Sequence, residues 1–72
     1  MATIKLIVRK VAERKGIGNP FVLANKTGLG YAICYRLWNG NQQRIDLKTL
    51  VRLCEVLGVK PGQLFEYKVD ED

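Results

Sequence analysis

Between Gly30 and Gly40 the apolar and polar residues recur with the period of a helix rather than a strand. At about 100° per residue, positions 31–39 divide into two arcs. Ile33, Cys34, Leu37 and Trp38 share one arc, and Tyr31, Ala32, Tyr35, Arg36 and Asn39 share the other. The first arc is expected in the core. The second offers long hydrogen-bonding side chains, one cation and no carboxylate, an outward face that suits a DNA major groove.

The same reasoning divides the rest of the chain into short helices. Val8, Val11 and Ala12 predict an inward face on a helix over 7–15, which Gly16 stops. Asn19-Pro20 starts the next, with Asn19 as capping acceptor and Pro20 at the first helical position. That helix carries Phe21, Leu23 and Ala24 to Thr27, and Gly28 supplies a left-handed stop. Leu29 plugs the core from within the turn, and Gly30 stands at the cap of the helix over 30–39. Asn39-Gly40 ends that helix, and the polar loop 41–44 follows. Asp46 is expected to cap a fourth helix, with Leu47, Leu50, Val51, Cys54 and Leu57 at i, i+3, i+4, i+7 spacing before Gly58. Pro61 opens a last short helical turn with Leu64 and Phe65 inward.

Both ends allow two readings. Residues 3–7 and 65–69 partly alternate apolar with polar, as strands do, and an antiparallel pairing would tie the termini down. The other reading is a longer first helix and a frayed tail. The expected architecture is mainly α: a compact five-helix domain over 1–72, with a short terminal β-pairing as an option.

Composition narrows the class. A chain of 72 residues, 47% hydrophobic with two prolines, is one globular domain near the lower size limit for a self-sufficient core. No apolar run reaches the roughly 18 residues of a membrane span. The first residues carry Lys5 inside their apolar stretch and show no cleavage site, so a cytoplasmic location is expected. Cys34 and Cys54 are read as buried free thiols, because a zinc site wants about four ligands and this chain has no histidine. No metal or cofactor is called for.

Charge is uneven. Through Phe65 there are eleven Lys and Arg against three acids, Glu13, Asp46 and Glu55. Residues 66–72 form an acidic tail with Lys68 against four acids. A body this basic attracts polyanions. Lys5, Arg9, Lys10, Arg14 and Lys15 read as diffuse surface charge, and Lys48 and Arg52 as solvated charge on the fourth helix. The chain has neither serine nor histidine, which removes Ser-His and Cys-His chemistry and the commonest general base. Gly16-Ile17-Gly18 lacks the following lysine and preceding strand of a phosphate loop. An enzyme is not expected.

From Val8 to Tyr67 the chain resembles the Cro-type, lambda-repressor-like (XRE-like) helix-turn-helix domains of small bacterial and phage regulators. The resemblance rests on Leu23-Ala24, Thr27-Gly28-Leu29 and Tyr35-Arg36-Leu37-Trp38-Asn39-Gly40. It extends to Arg44-Ile45-Asp46-Leu47, Thr49-Leu50, Leu57-Gly58-Val59 and Pro61-Gly62 followed by Leu64. It implies a motif over about 19–39, with the helix over about 30–39 entering the major groove and the preceding helix lying across the backbone.

Carried over by position, the resemblance makes Tyr31, Ala32, Tyr35 and Arg36 the candidates for base contact. Asn19, Gly30, Asn39, Gln43 and Arg44 become the candidates for phosphate contact. Arg36 suits guanine O6 and N7, and Ala32 suits a thymine methyl. Two departures concern the backbone contacts: Gly30 and Pro20 stand where relatives often have Ser or Thr and Gln. The loop before Asn19 is also longer by one residue, Gly18. The expected function is sequence-specific binding of double-stranded DNA by a homodimeric transcriptional regulator. The alternatives are an antitoxin-like protein-interaction module and a nonspecific nucleic-acid binder. Trp38 is read as core or core-edge; Tyr31 and Tyr35 also suit a protein interface by residue type, but the face they share with Arg36 favours groove contact.

Overall fold

Gly28 and Gly40 end the two central helices in the left-handed region, at φ 74° and 73°, where a β-carbon is strained and glycine is not. A computed structural model describes residues 1–40 and 44–69. Its elements run β1 (Ala2–Leu6), α1 (Val8–Arg14), α2 (Pro20–Thr27), α3 (Tyr31–Asn39), α4 (Leu47–Leu57), a 3-10 turn (Pro61–Leu64) and β2 (Phe65–Val69). Among the described residues there are thus four α-helices, not five. The fifth is one 3-10 turn, because Pro61-Gly62 gives way to extended backbone at Phe65.

The ends pair as strands, which overturns the reading of a longer first helix and a frayed tail. β1 and β2 run antiparallel with Ile4 opposite Tyr67 and Leu6 opposite Phe65. The Ile7 N–H continues the ladder by donating to the Leu64 carbonyl at 2.9 Å. Leu6 and Phe65 pack against the core, whereas Ile4, Tyr67 and Val69 stay exposed farther along the ribbon.

The core gathers Val8, Val11 and Ala12 of α1 with Leu23 of α2, Cys34, Leu37 and Trp38 of α3, Leu53 and Leu57 of α4, and Leu64. Two apolar arcs proved wider than the surface that covers them. On α3, Ile33 lies between Leu37 and Arg36 around the helix and is 37% exposed, a correction to its assignment to the core. On α4, Leu47 and Val51 are 76% and 57% exposed, while Leu53, outside the predicted set, is fully buried. Leu53, Leu57, Leu50 and Cys54 follow one another around α4, and Leu47 and Val51 lie beyond Cys54, past the edge of the core. Cys54 is accordingly only half-buried, not buried as expected, and both thiols are free.

Charged residues also do more than solvate the surface. Arg9 pairs with Glu13 at 3.5 Å and sets its guanidinium 5.7 Å from the centroid of the Trp38 ring. Lys10 approaches Glu66 at 3.9 Å, linking α1 to β2. Arg52, expected to be solvated charge, donates its Nε–H to the Thr27 carbonyl at 2.6 Å. Asp46 occupies the cap position of α4, but its side chain makes no capping hydrogen bond.

Thr27 is the buried polar residue on which these elements converge. Its hydroxyl donates to the Leu23 carbonyl at 2.7 Å and accepts from the Leu29 N–H at 3.2 Å. Removing that oxygen strands a partly buried N–H, which costs about 1–3 kcal/mol. Thr27→Val, of equal shape, is therefore expected to lower unfolding free energy by about that amount in denaturant titrations. Thr27→Ser keeps the oxygen and retains most of it; equal loss in both variants would show that shape, not the hydroxyl, matters.

Candidate nucleic-acid interface

The candidate interface is built by holding α3 against α2 through a turn with little freedom. Asn19 caps α2 by accepting the Val22 N–H at 2.9 Å, and Pro20 fixes its first residue. At the other end the Gly28 N–H donates to the Ala24 carbonyl at 2.9 Å. Leu29 then packs half-buried against the core. Gly30 caps α3 in extended backbone without a side chain, so the first-turn N–H groups of α3 have no side-chain acceptor there.

Cys34, Leu37 and Trp38 anchor α3 from beneath. The Cys34 sulfur lies 3.8 Å from the Thr27 hydroxyl. Burial pushes the Cys34 thiol above its ordinary value of 9.0, and the hydrogen bond with Thr27 offsets part of that rise.

With those three side chains inward, Tyr31, Ala32, Tyr35 and Arg36 all emerge on the exposed side of α3. The Tyr31 and Tyr35 rings are 6.0 Å apart and tilted at 41°. Neither α2 nor α3 contains a carboxylate, so their own charges at this surface are Lys26 and Arg36, while Arg44 and Asp46 line the groove beside Arg36.

The phosphate candidates are spread around this face. Asn19 is exposed, but its side-chain oxygen is committed to the α2 cap, leaving the amide nitrogen for other partners. Asn39 borders a groove shared with Lys5, Arg9 and Lys10. Arg44 is exposed and lines another groove with Arg36, Ile33 and Thr49. Gln43 lies outside the described residues. Phe21, which sequence reasoning did not place in the site, is 65% exposed, with its ring 5.0 Å from that of Tyr31. The apolar character of Phe21 gave no such signal; only the approach of α3 to the start of α2 places it there.

Residues 8–70 match the family of Cro/C1-type HTH DNA-binding domains. The chain belongs to that family. The Cro/C1-type chain is also 38% identical over 50 residues to the uncharacterized HTH-type transcriptional regulator YozG of Bacillus subtilis (strain 168). That match covers 69% of this chain and 60% of the relative, so it spans about three-fifths of the relative's length. No solved structure matches the chain significantly. Among the described residues no helix is long and apolar enough to cross a membrane. Nor do any three His, Cys, Asp or Glu side chains among them group as a metal site requires.

The anchor beneath the Cro/C1-type interface has a pH signature. The raised Cys34 thiol favours the folded state least once the unfolded thiol ionises, so its contribution is intact below pH 9.0 and declines as pH rises beyond it. Cys34→Ala costs about 1 kcal/mol or more at neutral pH through lost packing. The stability gap between wild type and this variant is expected to narrow from pH 7.5 to pH 10 in denaturant titrations. A constant gap would show that the thiol ionises at the same pH in the folded and unfolded states, so that burial does not raise it.

Proposed function

We propose that this chain is the sequence-specific duplex-binding module of a small transcriptional regulator, with α3 lying in the major groove. One observation carries the reading: Tyr31, Ala32, Tyr35 and Arg36 project together from a helix whose other face is fixed in the core. Arg36 has no acid on either motif helix to neutralise it, and its guanidinium can bridge guanine O6 and N7. Ala32 is small enough to admit a thymine methyl. Tyr31 and Tyr35 reach the groove wall or phosphate oxygens. Asn39, Arg44, Gln43 and the main chain at Gly30 hold the backbone, with the amide of Asn19 at the start of α2.

A single module of this size makes few contacts, so the regulator acts as a homodimer on half-sites about 34–36 Å apart. Two apolar surfaces are open to pairing: the ribbon at Ile4, Tyr67 and Val69, and α4 at Leu47 and Val51.

Selection from random duplexes is expected to enrich one pseudopalindrome. Salt-sensitive binding without a preferred sequence would replace specific with nonspecific recognition, and no duplex binding at low salt would favour a protein-interaction module. On the enriched duplex, Arg36→Ala is expected to lose about 1–3 kcal/mol of discrimination at one base pair per half-site, read from competition titrations. Unchanged discrimination would remove Arg36 from base reading. Sedimentation equilibrium with the enriched duplex is expected to give two protomers per duplex; one per duplex would remove the homodimer.

A further inference from the structure

Phe21 has no role in the core and none in the contacts assigned above, yet it places a large apolar ring in solvent. It is 65% exposed and is absent from the residues packed against the core cluster. Its ring lies 5.0 Å from that of Tyr31, and Tyr31 lies 6.0 Å from Tyr35. The three rings form a row that begins on α2 and continues along α3, on the surface that carries Ala32 and Arg36. Tyr31 is 46% exposed and Tyr35 52%, so the row is open along its length. Exposed apolar area of this kind gains free energy when covered, and two helices that carry cations and no carboxylate favour a polyanionic cover.

The row is continuous with the face proposed above to meet DNA, and duplex DNA is the occupant it fits. In the major groove the base edges present hydrogen-bonding groups, with one apolar exception, the 5-methyl of thymine. We infer that Phe21 and Tyr31 form a shelf that takes a thymine 5-methyl group, making Phe21 a specificity-determining residue. The shelf rests on the DNA reading above and adds to it a base preference at the edge of each half-site. Contact between the rings fixes them relative to each other, so the methyl meets a preformed surface.

The test uses the full chain and the duplex enriched by selection, replacing each thymine in turn by uracil. Wild-type protein is expected to lose affinity about fourfold at one or two positions per half-site, the change that follows from one methyl-sized group left unburied. Replacing the same thymine by 5-bromouracil, whose bromine matches the methyl in size, restores affinity. Phe21→Ser, at a position outside the core and checked for unchanged helicity, is expected to bind thymine and uracil alike at one of those positions, the edge position, while any thymine preference set by Ala32 stays. Equal affinity of wild type for thymine and uracil at every position overturns the shelf and leaves the DNA reading standing. Thymine preferences that survive Phe21→Ser unchanged at every position also overturn it, because other groups then read each methyl. If no duplex is enriched at all, the DNA reading falls and the shelf with it.

Discussion

The angle at which α3 leaves the body is set at Thr27, where one buried hydroxyl and one carbonyl hold three segments together. The hydroxyl joins the last turn of α2 to the Leu29 N–H and meets the Cys34 thiol of α3. The carbonyl of the same residue receives Arg52 from α4. A buried polar group is stabilising only while its partners stay in place, so this junction resists rotation of either helix. The apolar contacts of Leu23, Leu37 and Leu53 hold the elements together without direction; Thr27 gives them one.

That fixed angle separates the two faces of α3. The inward residues occupy the core, and the outward ones are held at constant spacing with few internal partners. Reading bases requires such preorganisation, because a long side chain that must first be ordered gives up part of its binding free energy. Arg52 contributes at a distance from the interface: its charge stays partly at the surface beside Glu55 while its Nε–H stiffens the turn. Arg9 acts similarly on the far side, covering Trp38 while paired to Glu13.

Local chemistry made much of the fold legible. Asn19-Pro20, Gly28 and Gly40 mark helix ends through dihedral and hydrogen-bonding preferences that belong to the residues themselves. Periodicity identified Cys34, Leu37 and Trp38 as inward but overreached at Ile33, Leu47 and Val51, because it reports which side of a helix is apolar and not how much of that side a neighbour covers. The strand pairing was one of two readings, since five alternating residues carry too short a period to decide. The link from Arg52 to Thr27 spans 25 positions and leaves no local trace. In the candidate site the outward four on α3 were legible from helical phase, whereas Phe21 was not, because its position depends on how α2 meets α3.

Among the described residues the terminal ribbon brings together the partners most distant in sequence, Ala2 with Val69, while the helix-turn-helix is assembled from neighbours in sequence. Closing so large a loop is entropically slow, and the outer half of the ribbon adds little to the core. The two regions therefore belong to different tiers of local stability, and the ribbon can fray and re-zip while the turn at Thr27 stays closed. Opening of the outer ribbon, beyond Leu6 and Phe65, thus leaves untouched the Thr27 junction that holds α3.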